Sequence, residues 1–167
     1  MLKNIREKVM NIFVLHREAP IAAMYHCDKH VIKMILESAQ MLCTVLHQNE
    51  VDTPYLPVHP KHPCTIWAGE SLSNWLWLKE LTKFLDNEYI YRYDKGHHKS
   101  WEVVEKLPNP PIEDIGMTPF AQAMPEKYKH DNPVIAYRNF YMHEKAKFAT
   151  WKYPAKKPRW YRGVDNE

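Results

Sequence analysis

The sequence predicts an all-α, single-domain protein. Two long stretches, 20–48 and 65–94, place polar and apolar residues at helical spacing. Only residues 11–15 resemble a strand, and Pro-rich, Gly-poor segments connect the helical stretches. With 167 residues, of which 45% are apolar and 13% aromatic, the chain can bury a sizeable core. That length suits one domain. Residues 1–9, MLKNIREKV, are charged and read as an N-terminal extension, which puts the domain at 10–167. Met10 is a candidate second start site. No apolar run approaches the ~18 residues a membrane span needs. Lys3, Arg6, Glu7 and Lys8 interrupt any secretory signal. Three irregularly spaced cysteines fit a reducing, cytoplasmic compartment better than a disulfide framework.

Each element has its own local reason. The first helix is predicted over 20–48, with Pro20 in its first turn. Along it His26, His30, Lys33, Glu37, Gln40, Thr44 and His47 form a polar stripe at spacings of three and four. The segment from Val51 to Cys64 carries Pro54, Pro57, Pro60 and Pro63, and each disfavours helix before it, giving a stiff, extended connection. The second helix is predicted over 65–94. It is apolar on more than half its circumference, as a central core helix should be. Asn74, Leu78, Leu81, Leu85, Glu88 and Arg92 share one of its faces, with Glu88 and Arg92 an i,i+4 pair. Gly96 is expected to end that helix. Short helices are predicted over 100–106 and 120–129. Asp131 or Asn132 should cap a last helix that begins at Pro133 and reaches Thr150. An extended, basic, aromatic tail closes the chain.

The chemistry-bearing residues fall into three groups. His26 and His30, in HCDKH, would lie one turn apart and aim at one spot. They could line a cleft or hold an anion, and with His59, His62 or Cys64 they could hold a metal. Such histidines are equally at home partly buried and hydrogen-bonded. Glu88, Arg92, Lys95, His97, His98 and Lys99 gather at the end of the second helix. Cations there answer the helix dipole, and Arg92, His98 and Lys99 also suit phosphate. In the tail, Trp151, Tyr153, Trp160 and Tyr161 alternate with Lys152, Lys156, Lys157, Arg159 and Arg162. That mixture suits stacking on nucleic acid, or a tail pinned to the core by its aromatics. No Gly-rich phosphate loop, G-x-S-x-G or HExxH is present, so no cofactor is implied.

The strings MNIFVL (10–15), AAMYHCDKHVIKMILESAQML (22–42), HPCTIWAGESLSNWLWL (62–78), GMTPFAQAMPEKYK (116–129) and PRWY (158–161) resemble a group of small phage proteins. Some of that group are described as pyrimidine-dimer DNA glycosylases of the endonuclease V type. The likeness to the glycosylase itself rests on size, an all-α plan, Tyr25, and Pro158, Trp160 and Tyr161 near the end. The resemblance implies a DNA partner and a flipped base whose glycosidic bond is cleaved. It also implies an imine formed by the α-amine of a processed N-terminus, assisted by a Glu on the first helix. Met10 matches that N-terminus, nine residues in. Cys27 or Asp28 falls near the position of the Glu, and His26 and His30 near the phosphate-holding Arg positions.

The resulting expectation is a DNA-processing enzyme with a polar cleft. Asp28 or Glu37 would be the acid/base, beside His26 and His30. Lys33, Asn74, Glu88, Arg92, His98, Lys99, Arg159 and Trp160 would hold DNA. The alternatives are a non-catalytic nucleic-acid-binding accessory protein and a related base-modifying enzyme.

Overall fold

The structure is a computed structural model describing residues 10–162, so the N-terminal extension lies outside the described residues. Among the described residues there are six α-helices and one 3-10 turn: α1 (Ala19–Tyr25), α2 (Asp28–Gln48), α3 (Pro63–Glu70), α4 (Leu72–Tyr93), α5 (Lys99–Glu105), the turn Glu126–Tyr128, and α6 (Pro133–Glu144). No strand occurs among the described residues, so the chain is all-α. No described helix is long and apolar enough to cross a membrane.

The two long helices α2 and α4 pack on each other, and α1, α3 and α5 pack around them. Their shared core holds Val31, Ile35, Leu42 and Leu46 against Trp67, Trp75, Leu78, Leu81 and Leu85. Each such side chain contributes about 1.5–3 kcal/mol by leaving water. The indoles are satisfied as well as buried: Trp75 donates to Leu42 O at 3.2 Å and Trp77 to Arg17 O at 2.9 Å. Residues 10–15 run through this core without regular structure, with Met10 to Leu15 buried.

Both predicted long helices are interrupted. The first breaks at His26 and Cys27, whose ψ angles of 135° and 161° are extended. Distant partners satisfy the freed backbone groups there: Tyr141 Oη accepts from Cys27 N at 2.9 Å, and Thr150 O from Asp28 N at 2.8 Å. Arg92 donates to Met24 O and His26 O. The second breaks at Ser71, where Leu72 N donates to Glu113 O and the Asp114 carboxylate accepts from Ser71 and Ser73. The end of α4 comes at Asp94, in the left-handed region at φ 49°, two residues before Gly96.

Two further boundaries differ from the sequence reading. Residues 120–125 are not helical, because side chains take their backbone groups: Asn11 Nδ2 donates to Ala123 O, while Tyr137 Oη donates to Ala121 O and accepts from Ala123 N. Helix α6 stops at Glu144, so that the chain can turn and bring Thr150 to Asp28. Asn132 caps α6 as predicted, accepting from Val134 N at 3.0 Å. The connection from residue 51 to 62 is irregular and pinned by Thr44, whose hydroxyl accepts from Val58 N.

Candidate functional site: a lysine-rimmed cleft

A cleft of about 1090 Å³ opens between α2, residues 11–13, residues 123–125 and the end of α6. That is the size of a small-molecule or nucleotide site. Asn11 and Phe13 form one wall; Phe140 and Phe148 add apolar surface. Lys29, His30, Lys33 and Met34 come from α2, where spacings of three and four put them on one face. Glu144 and Lys145 close the far side.

Aromatic rings hold two of the ammonium groups. Lys29 Nζ stands 4.8 Å from the Phe148 centroid, and Lys145 Nζ 4.9 Å from Phe140 and 5.8 Å from Phe13. Ring faces carry negative charge, so they hold these cations without a counter-ion. Burial lowers the Lys145 pKa, and Lys33 lowers it further.

One turn beyond Lys33 lies Glu37, with a side chain only 9% exposed. Burial pushes its pKa up to about 7, against the pull of Lys33 and the Asn11 backbone. Lys33 Nζ is 3.7 Å from Oε2, and neither carboxyl oxygen has a hydrogen bond of ordinary geometry. The result is a carboxyl that exchanges protons near neutrality beside a wall of the cleft.

His30 stacks on Phe13, with centroids 4.4 Å apart. Its Nδ1 is hydrogen-bonded to Tyr141 Oη at 2.8 Å, and the same hydroxyl accepts from Cys27 N. Burial pushes the His30 pKa down to about 2, so the ring is neutral. With Tyr141 donating to Nδ1, its hydrogen resides on Nε2. His30 is then a neutral donor, not the cationic anion-holder that the sequence suggests.

The other predicted site residues lie elsewhere. His26 is fully buried, its Nδ1 bonded to Ala22 O at 2.6 Å and its pKa pushed down to about 4 by burial. It is not one turn from His30 on a common helix, because the chain breaks between them. The Asp28 carboxylate accepts from Arg92, Lys152 N and Thr150 Oγ1, which leaves it as a joint rather than a free acid/base. Arg92 is buried and has all five donors engaged, on Glu88, Asp28, Met24 O and His26 O. It is an internal clamp and is not available to phosphate. Glu88, at 3.0 Å, is its partner, the i,i+4 pair read from the sequence.

Asn74 is buried against Trp67 O and Thr118 and holds the loop onto α3 and α4. His98 caps α5 by accepting from Ser100 N, and Lys99 is exposed beside it, away from the cleft. Trp160 packs edge-on to Tyr25 and under Arg138, which anchors the tail, and it lines the same hollow as Arg159, away from the cleft. Arg159, exposed, joins Lys156 and Lys157 around a second hollow of about 510 Å³ with Tyr25 and Tyr91. His26, His30, His59, His62 and Cys64 do not converge; among the described residues no three His, Cys, Asp or Glu side chains gather as a metal site.

Of the expected constellation, then, the structure brings together His30, Lys33 and Glu37. It adds Lys29, Lys145, Asn11, Tyr141 and the three phenylalanines. Lys29 is inside HCDKH, and Lys145 belongs to a stretch from Arg138 to Arg162 that holds eight Lys or Arg against one acid, Glu144, so both signals were present. What no local pattern shows is that residues 13, 30 and 145 meet. Comparison with protein families, curated proteins and solved structures returns no match.

Proposed function

We propose that the protein is a DNA-processing enzyme of the N-glycosylase/AP-lyase type and that the lysine-rimmed cleft receives the flipped or damaged nucleotide. The observation that supports this reading most is the cleft's composition. Three lysines answer phosphate charge and phenylalanines offer surface to a base or sugar, while Glu37, one turn behind the lining residue Lys33, has its pKa raised to about 7. C–N cleavage needs such a carboxyl to protonate the leaving base or steady the positive charge developing on the sugar. Flipping is required because the glycosidic bond is shielded in a duplex. The resemblance to the phage group, from residue 10 to 162, points the same way.

The test is borohydride trapping of the full chain on a duplex with one abasic site, together with cleavage of ultraviolet-irradiated duplex. A covalent protein–DNA adduct and strand cleavage are the expected result. Tight, salt-sensitive DNA binding without adduct or cleavage would instead establish the non-catalytic accessory reading. The internal engagement of His26, Asp28 and Arg92 favours that second reading. Absence of any DNA binding sinks both.

A further inference from the structure

We infer that the ε-amine of Lys145 is the carbonyl-reactive nucleophile of the cleft, able to form an imine with an aldehyde-bearing substrate. This deepens the reading above and rests on it for one substrate, the ring-opened sugar of an abasic site.

The geometry is that of an activated lysine. Lys145 follows the last residue of α6 and is half-buried, with its ammonium over the Phe140 and Phe13 rings. No carboxylate among the described residues lies within ion-pair distance of it. Lys33, by contrast, faces Glu37 at 3.7 Å. Burial and the neighbouring Lys33 both disfavour the ammonium, against the attraction of the two ring faces, and so favour loss of its proton. The titratable groups that act on Lys145 are Lys33 and Glu37 from α2, Cys27 just before α2, and Glu144 from α6; of these Lys33 alone lowers its pKa and the other three raise it. Lys29 lines the same cleft. The lowered Lys145 pKa agrees with this arrangement.

The step balances without any oxidant or cofactor. The unprotonated amine attacks the aldehyde carbon at C1′, an N–C bond forms, and the carbonyl pair moves to oxygen; the nitrogen then passes a proton to that oxygen through water. Water gives a second proton to the carbinolamine hydroxyl, which leaves as water while the nitrogen lone pair closes the C=N bond, so an iminium and a hydroxide result. The hydroxide takes the C2′ proton, the freed C–H pair ends as the C2′–C3′ double bond, and the C3′–O bond breaks with the phosphate leaving on its electron pair. Water hydrolyses the imine and returns the amine. An internal amine makes this chemistry independent of how the N-terminus is processed.

The full chain is treated with borohydride and two probes, abasic-site duplex and pyridoxal 5′-phosphate, and adducts are located by peptide mass spectrometry. Lys145→Arg keeps the cation but cannot form an imine; Lys145→Met keeps the apolar contacts. Circular dichroism confirms that each variant is folded. The expected result is a DNA adduct on Lys145 that falls to background in both variants, with pyridoxal labelling of Lys145 at least tenfold faster than of exposed Lys147. A DNA adduct on the α-amine or on Lys33 overturns the Lys145 assignment and leaves the DNA reading standing. Fast pyridoxal labelling of Lys145 without a DNA adduct supports the activated amine and removes the lyase reading. Labelling of Lys145 no faster than Lys147, with no DNA adduct, overturns both.

Discussion

Glu37 is the residue whose environment departs furthest from what a carboxyl prefers. It sits on a helix that had to place an acid either toward solvent or into the core, and it does neither comfortably. Its pKa is raised to about 7, so the folded state holds a proton that the unfolded state releases from about 4.5 upward. The linkage sign follows: stability falls as pH rises through that window. Glu37→Gln should flatten the fall and make the protein more stable above pH 7, by at most about 3 kcal/mol. Urea unfolding at pH 5 and pH 8 measures it, and an unchanged pH difference in the variant refutes it. The polar stripe of α2 was legible in the sequence and led to Glu37, His30 and Lys33. Their protonation states were not, because burial by Phe13, Asn11 and Tyr141 sets them, and those contacts span up to 111 residues.

At the scale of elements, the informative features are the two breaks. Pro20, Asn132 and the Pro-rich connection marked helix starts and stops by local chemistry, and the structure follows them. Residues 26–27 and 71 carry no Gly or Pro, and the helical pattern runs straight through them. They break because better partners arrive from elsewhere: Arg92 and Tyr141 at the first, Asp114 at the second. Arg92→Met should therefore destabilise the protein by about 3–5 kcal/mol, since it strands two carbonyls and leaves Asp28 and Glu88 without their counter-ion. Arg92→Lys should recover only part of this, because an ammonium cannot span acceptors laid out for a planar fork. Urea midpoints of the two variants measure both effects. Asn132→Ala should cost about 1 kcal/mol through loss of the α6 cap, read in the same way. If Arg92→Met unfolds at the wild-type midpoint, the clamp has no energetic role.

The whole molecule has a defined acid limit. His26 and His30 are buried neutral, with pKa values down to about 4 and about 2. A base whose folded pKa is depressed contributes stability above its unfolded value, near 6.5, and that stability is lost as pH falls. Two such groups give a slope of up to about 2.7 kcal/mol per pH unit between pH 6 and pH 4. Four further histidines, His16, His62, His98 and His130, accept the backbone N–H two residues on through Nδ1 and so close local turns and helix starts. Much of the unusual histidine content is thus structural. Thermal unfolding followed from pH 7 to pH 4 should show a steep loss, shallower in His30→Phe if that variant folds. The cleft adds a salt signature: Lys29→Ala should lower the salt slope of DNA binding by about 1, as one phosphate contact is lost, measured by fluorescence anisotropy across salt concentrations.

The joint between α1 and α2 also has a history in time. Its hydrogen bonds are closed by Tyr141, Thr150 and Lys152, 114 to 124 positions later in the chain. A ribosome making this protein therefore exposes an unfinished corner until residue 152 has left the exit tunnel. Helices α2 and α4 can find each other early, but the corner that orients them is locked only when residues 141 to 152 arrive.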